Sequence, residues 1–289
     1  MPEGKSVSMS LAGLFRITRP ANALAAGLAS VVAYLIATGT LIPSVLLLFA
    51  VVTLVTAAGN VINDYFDVEI DRVNRPDRPI PSGQVSLPAA RAFAITLFLA
   101  GILVCLLTNT LCIAIAVFNS LLLFAYAARL KSMPLVGNLA VSYLAGSMFL
   151  FGGALNGMPG LVSVIPFAVM TFFAMLAREL VKDAEDVEGD RANGAATFPI
   201  RYGVRNTVLI ALACGILGAV SSLAPYLRWG AGYLWGILIV DVILLYACIR
   251  AVRCRTPAEV QHSGASLFLK AGMFAALVVF TLSALFLQG

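Results

Sequence analysis

Apolar runs of about 20 residues recur along the chain with short polar interruptions. Nine can be marked, at 20–38, 43–63, 89–107, 110–128, 136–155, 161–181, 206–225, 232–250 and 267–287. A run of roughly 18 or more apolar residues is long enough to cross a bilayer as a helix. Inside lipid each backbone amide must be satisfied within its own helix or in a closed barrel, and segments of this length fit the helical solution. The pattern predicts an all-α, polytopic membrane bundle of nine transmembrane helices. The first run follows Arg16 and Arg19 and exceeds the roughly 7–15-residue core of a cleaved leader, so it reads as the first span.

Composition agrees. Of 289 residues, 61% are hydrophobic and 11% charged, with a mean hydropathy of +0.96. A soluble domain carries roughly 25% charged residues, so a soluble globule is excluded. The five cysteines (Cys105, Cys112, Cys214, Cys248, Cys254) form no C-x-x-C pair and lie in or beside apolar runs, as buried small hydrophobes do.

The charges then orient the bundle. With nine spans, 18 of the 19 basic residues fall on one side, from Lys5, Arg16 and Arg19 to Arg250, Arg253, Arg255 and Lys270; only Arg228 falls on the other. The positive-inside rule makes that side cytoplasmic, with the N-terminus inside and the C-terminus outside. The net charge of +5 therefore reports topology, and no soluble basic face with aromatics suggests nucleic acid.

Acidic residues are less evenly spread. Asp64, Asp67, Glu69, Asp71 and Asp77 follow the second run; Glu179, Asp183, Glu185, Asp186, Glu188 and Asp190 end the sixth. The stretches "DYFDVEIDRVN" (Asp64–Asn74) and "DAEDVEGDRAN" (Asp183–Asn193) share the pattern D-x-x-D-V-E-x-D-R-x-N. They lie 119 residues apart on runs of the same direction, which predicts one membrane domain over 1–289 with an internal repeat of about four helices. The first motif occupies 60–78 and the second 179–193.

If the second helix continues through Asp71, then Asn60, Asn63, Asp64, Asp67 and Asp71 fall within an arc of roughly 100° while Glu69 points away. Glu179, Asp183, Asp186 and Asp190 share a narrower arc of the sixth helix, with Gly189 threatening its last turn. Stacked carboxylates repel, by a few tenths of a kcal/mol per i,i+4 pair on a surface and more near lipid, so a cation must compensate. Mg²⁺ favours oxygen donors, taking one or two carboxylates and completing its shell with water and phosphate. Two such faces opposing each other would hold several Mg²⁺ ions with a diphosphate between them. Arg72, Arg75, Arg78, Lys131, Lys182 and Arg191 suit the diphosphate oxygens, and Asn60 is counted with them as a substrate contact.

The strings "NDYFDVEIDR" and "KDAEDVEGDR" resemble the hallmarks of the UbiA-type membrane prenyltransferases, N-D-x-x-D-x-x-x-D and D-x-x-D-x-x-x-D. The resemblance extends to "ITRPAN" at the first span, "NRPDRPIPSG" after the first motif, "YAARLKSMPLVGN" after the fourth span and "TFPIRYG" after the second motif. It implies nine helices around a central cavity open to lipid, under a cytoplasmic cap. It implies that Asn63, Asp67, Asp71, Asp186 and Asp190 ligate Mg²⁺, supported by Asp64 and Asp183, with Asp67, Asp71, Asp186 and Asp190 catalytic. Arg19, Asn22, Tyr126 and Lys131 are implied as diphosphate or acceptor contacts. The two motif regions most resemble the branch of the family that moves a geranylgeranyl group from its diphosphate to the free hydroxyl of geranylgeranylglyceryl phosphate in archaeal ether-lipid synthesis. The implied partners are a prenyl diphosphate donor, a lipid or glyceryl-phosphate acceptor and membrane lipids.

Prenylation of an aromatic or quinone-precursor acceptor is the alternative within the class. A CDP-alcohol phosphotransferase would continue D-x-x-D-G, whereas Val68 and Val187 follow Asp67 and Asp186. Transport sites favour broken helices at the bilayer midplane, which weighs against a transporter. His262, the only histidine, is expected in a surface loop. Asp241, within the eighth run, is expected either to serve function or to be hydrogen-bonded inside the bundle, and Arg178 with Glu179 either as an ion pair or as an acceptor-site wall. The 17 phenylalanines are expected either to line a channel for the prenyl tail or, for most of them, to pack toward lipid.

Overall fold

A computed structural model describes residues 10–192 and 194–287. Lys5, counted among the inner charges, and Asn193, the last position of the second motif, lie outside the described residues. The described elements are helices: α1 (Leu11–Ile17), α2 (Pro20–Thr38), α3 (Val45–Phe66), α4 (Val68–Asn74), α5 (Leu87–Cys105), α6 (Thr110–Ala128), a 3-10 turn (Leu130–Ser132), α7 (Val136–Ala154), α8 (Gly157–Ser163), α9 (Ile165–Glu185), α10 (Val187–Ala192), α11 (Phe198–Tyr202), α12 (Val204–Ser221), α13 (Tyr226–Arg253), α14 (Pro257–Ser263) and α15 (Ala265–Phe286).

Eight of these are long and apolar enough to span a membrane, and α8 with α9, meeting at 45°, makes a ninth span if the pair counts as one. The last two turns of α9 carry Arg178, Glu179, Lys182, Asp183 and Glu185, so its apolar length falls short without α8. The short helices begin where local chemistry dictates. Thr256 caps α14 by accepting from the Glu259 amide, and Pro257 follows in the first turn, where its missing N–H costs nothing. Ser86 and Pro88 start α5 in the same way, two residues before the apolar run suggests.

The chain divides into two compact units, one of Met1–Leu28 with Ser44–Ala128 and one of Ala29–Pro43 with Arg129–Gly289. In the first unit α3 packs on α5 and α6, and Ile17, Val61, Ile62, Val68, Ile80, Val85, Ala90 and Ala94 form a core beneath the first motif. Glycine lets these helices approach: a Cβ at Gly59 would stand 2.9 Å from Leu123 Cδ2, and one at Gly101 would stand 2.8 Å from Val55 Cγ2. Lipid supplies no hydrophobic drive between spans, so close packing of this kind does much of the holding.

In the second unit α9 packs against α7, α12, α14 and α15. Leu176, Ala177, Leu180, Val181 and Ala184 of α9 are buried in its core. A Cβ at Gly146 of α7 would stand 2.6 Å from the Ala168 carbonyl oxygen, so the α7–α9 seam closes to backbone contact. Phe149, Phe167 and Phe280 pack together with Trp229 rather than face lipid.

Both acidic motifs begin in the last turn of a long helix and end on a short one. The expectation of an unbroken helix through Asp71 is corrected: α3 ends at Phe66, Asp67 leaves helical geometry (φ −87°, ψ 2°), and α4 resumes at Val68. α9 does the same at Asp186 (φ −94°, ψ 7°), and α10 resumes at Val187 and carries Gly189 within a helical turn. These are equivalent positions of the shared pattern. The bends keep one face connected. The Asp67 amide still donates to the Asn63 carbonyl at 3.0 Å and the Asp71 amide to Asp67 at 2.8 Å. Asp186 and Asp190 repeat this, to Lys182 at 3.0 Å and to Asp186 at 2.9 Å.

Candidate active site

In the first motif Asp64 and Asp71 are held by arginines. Asp64, buried within the last turn of α3, accepts from Arg19 at 2.5 Å and from Arg78 at 3.0 Å. Arg78 also donates to Asp71 at 2.6 Å, and Asp71 is buried as well. Asn63 donates to Asp67 at 2.8 Å, one turn apart on the connected face. Asn60 sits a turn earlier and donates to the Thr18 carbonyl at the end of α1, which anchors the entry to α2. Arg19 itself has a positive φ of 50°, a strained setting for a side chain with a Cβ, and it turns the chain from α1 into α2. Asn22, on the first turn of α2, is exposed.

The remaining basic residues of this motif divide by position. Glu69 and Arg72 form an exposed i,i+3 pair at 2.9 Å, pointing away from Asp71 as the helical spacing predicts for Glu69. Arg75 ends α4 and is exposed. Arg78 is the one whose guanidinium folds back onto the carboxylates.

In the second motif the partners are different. Asp183 accepts from Asn138, a buried residue of the first turn of α7, at 2.8 Å. Asp186 is exposed at the bend, and Asp190 is half-buried on α10. Burial pushes the Asp190 carboxyl above the ordinary aspartate range; the Asp186 charge adds to the rise, and Lys182 opposes it. Lys182 is half-buried on α9 and Arg191 exposed on α10. Glu185 accepts from the Ser266 hydroxyl at 2.7 Å and amide at 3.3 Å, which fastens the end of α9 to the first turn of α15. Arg178 and Glu179 pair at 2.5 Å.

Lys131 lies half-buried in the 3-10 turn before α7. A Cβ at Gly137 would meet the Leu130 carbonyl at 2.9 Å and Lys131 Cα at 3.0 Å, so only glycine lets the first turn of α7 rest on that turn. Tyr126 is half-buried near the end of α6. Asn138, Gly137 and Ser266 escape a reading based on acidic clusters. Asn138 closes the string "YAARLKSMPLVGN" of the resemblance, and it follows Arg19 by 119 residues, the spacing of the two motifs.

The donor chemistry suits a hard cation. The groups gathered in each motif are carboxylate and amide oxygens. The cysteines are free and mostly buried, and His262 lies exposed on α14, bonded at 2.6 Å to the Ala258 carbonyl, rather than in the loop expected. Among the described residues no three carboxyl, thiol or imidazole groups converge to form a closed metal cage. An ion held by one or two carboxylates with the rest of its shell from water and phosphate is the habit of Mg²⁺.

Asp241 is buried and hydrogen-bonded. It accepts from Ser222 at 2.6 Å, while the Tyr233 hydroxyl donates to the Ser222 carbonyl at 2.8 Å.

A bundle of apolar spans whose two acidic motifs are bent at matching aspartates defines a multi-pass membrane protein with two repeated acidic helix ends. More narrowly, the chain belongs to the UbiA prenyltransferase family, whose model matches residues 24–286. The chain is 60% identical to a digeranylgeranylglyceryl phosphate synthase of Methanoregula boonei, over 96% of this chain and 100% of the relative. A solved structure concerned with digeranylgeranylglyceryl phosphate synthase in membranes is similar at a TM-score of 0.83 and 35% identity, covering 95% of this chain and 98% of that one. A UbiA homologue from Archaeoglobus fulgidus, bound to GPP and Mg²⁺, shares the fold at a TM-score of 0.61 and 16% identity, with 91% of this chain and 99% of that one covered.

Proposed function

We propose that this protein is a Mg²⁺-dependent intramembrane prenyltransferase that moves a geranylgeranyl group from its diphosphate to the free hydroxyl of geranylgeranylglyceryl phosphate. The observation that carries the reading is the repeated D-x-x-D-V-E-x-D motif, bent at the same aspartate in both copies. The choice of acceptor is supported by the 60% identical relative, and the use of Mg²⁺ by the ion bound to the Archaeoglobus homologue.

In this reading Asn63, Asp67 and Asp71 of the first motif, and Asp186 and Asp190 of the second, hold Mg²⁺, while Asp64 and Asp183 brace them. Mg²⁺ supplies Lewis-acid neutralisation of the diphosphate. The chain's own task is to orient the donor and stabilise charge as it develops. Arg72, Arg75, Lys131, Lys182 and Arg191 offer donors to the diphosphate oxygens, with Arg78 shared between them and the aspartates. The bond between the allylic carbon and the diphosphate oxygen breaks, and the acceptor hydroxyl oxygen bonds that carbon. The hydroxyl proton leaves to the departing diphosphate or to a motif carboxylate. Arg19, Asn22, Asn60 and Tyr126 complete the donor and acceptor contacts, Arg19 through Asp64.

The chain is read as a single membrane domain with an internal four-helix repeat. The excess of basic residues on one side of a nine-span chain supports a reading with the N-terminus and both motifs cytoplasmic and the C-terminus outside.

The test is to incubate the purified full-length protein with geranylgeranyl diphosphate, Mg²⁺ and a panel of acceptors. The expected product is digeranylgeranylglyceryl phosphate with equimolar diphosphate. Prenylation of an aromatic acid in preference to the glyceryl phosphate refutes the acceptor, and diphosphate release without any prenylated product refutes the transfer.

A further inference from the structure

A shift of 119 residues, the separation of Asp64 from Asp183, carries α3 onto α9 to within a residue at each end. The same shift carries Arg19 onto Asn138. The correspondence is geometric as well as numerical. Arg19 stands just before α2 and donates to Asp64 at 2.5 Å; Asn138 stands in the first turn of α7 and donates to Asp183 at 2.8 Å. Each motif has its first aspartate held from the same repeat position. One holder is a cation and the other a neutral amide.

Arg78 widens the difference. It gives Asp64 a second positive partner and Asp71 its first. No lysine or arginine pairs with Asp183, Asp186 or Asp190 among the described residues. Lys182 exerts a longer-range attraction on Asp183 and Asp190, and Glu179 adds repulsion at Asp183. Clustered carboxylates near lipid require compensation. The first motif carries it within the chain, and the second largely lacks it.

We propose that the two motifs are unequal cation sites, set by Arg19 and Asn138 as matched positioning residues. The second motif takes a divalent ion by itself, whereas the first takes one only together with a diphosphate. Diphosphate oxygens compete for the Arg78 guanidinium, since arginine binds phosphate in a bidentate manner, and so free Asp71 for the ion. The inference rests on the reading of both motifs as Mg²⁺ sites.

Mn²⁺ titrations of the full-length protein, read by electron paramagnetic resonance as a probe for Mg²⁺, test it without turnover. Wild type is expected to bind a single, chelator-labile ion per chain, and a second after addition of the non-hydrolysable geranylgeranyl thiolodiphosphate. Asp186→Asn is expected to weaken the first ion at least about tenfold and Asp67→Asn less than about twofold. Arg19→Gln combined with Arg78→Gln leaves Asp64 and Asp71 with neutral partners, as Asn138 leaves Asp183, and is expected to add a second ion in the absence of diphosphate. Two equivalent ions in wild type without diphosphate, no ion without it, or equal losses in the two aspartate variants overturns the proposal. If a variant does not fold, the wild-type stoichiometry decides alone. Product formation by the same preparation reports separately on the transferase reading, so the two can fail independently.

Discussion

Arg78 and Asp71 are joined at 2.6 Å, with 18% and 6% of their side chains exposed. They lie seven positions apart in the chain, so the pair pins the loop after α4 back onto the first motif. Removing one member of a largely buried pair leaves the other charge uncompensated, at a cost of roughly 3–5 kcal/mol. Because Arg78 is partly exposed and Asp64 keeps Arg19, Arg78→Ala is expected near the lower end, about 3 kcal/mol. Chemical unfolding in detergent measures this, and an unchanged midpoint contradicts it.

Asp67 and Asp186 sit at the two bends and carry the most exposed carboxylate of each three-aspartate set. Asp67→Ala and Asp186→Ala are each expected to lower turnover by about 10²–10³-fold, the scale of losing one preorganised electrostatic contact. Stability should move by no more than about 0.5 kcal/mol for Asp186, a surface position. Rates at limiting Mg²⁺, alongside melting curves, separate the two effects; retained activity in either variant removes that motif from the site.

Chelation offers a second check on the cation. Activity is expected to vanish with excess EDTA and return on titration with Mg²⁺, because no closed cage of three metal-binding side chains is present among the described residues to retain an ion. Full activity after exhaustive chelation contradicts a Mg²⁺ requirement.

Gly146 lies where α7 meets α9, the helix that carries the second motif. With a new Cβ 2.6 Å from the Ala168 carbonyl oxygen, Gly146→Ala must push backbone apart rather than rotate a side chain. A loss of about 1–3 kcal/mol is expected, the cost of overpacking, together with lower activity. The half-life of activity at raised temperature reports it.

Asp241 and Ser222 form a buried pair in the second unit, and this predicts a structural phenotype only. Ser222→Ala strands a buried carboxyl and is expected to cost about 1–3 kcal/mol. Asp241→Asn keeps a hydrogen-bonding oxygen and is expected to retain turnover. A folded Asp241→Asn protein without activity would give this residue a functional role.

Much of the fold is legible because lipid permits so few solutions. The runs at 20–38 and 110–128 match α2 and α6 end for end. α1 is not legible because seven residues leave no span-length signal. The bends at Asp67 and Asp186 were also invisible. Helical spacing reports which residues share a face, and that face stays hydrogen-bonded through the bend. Charge type alone assigned Arg72, Arg75 and Arg78 the same role. Which one folds back depends on the path of the loop after Arg75, where the backbone leaves the helix at φ −146° and ψ 61°. Asn138 was within reach, since carrying the repeat back from Asp183 arrives at it, but an asparagine opposite an arginine does not announce itself as a match.

The tie between Glu185 and Ser266 reaches across 81 residues of chain. During synthesis, Asp183, Asp186 and Asp190 leave the ribosome well before the residue that fixes the end of their helix. Domains tend to fold as they emerge, N-terminal parts first. The second motif therefore sets late in biogenesis, once the beginning of the final helix has been made. A nascent chain halted before that point would carry every acidic residue of both motifs and still lack the brace.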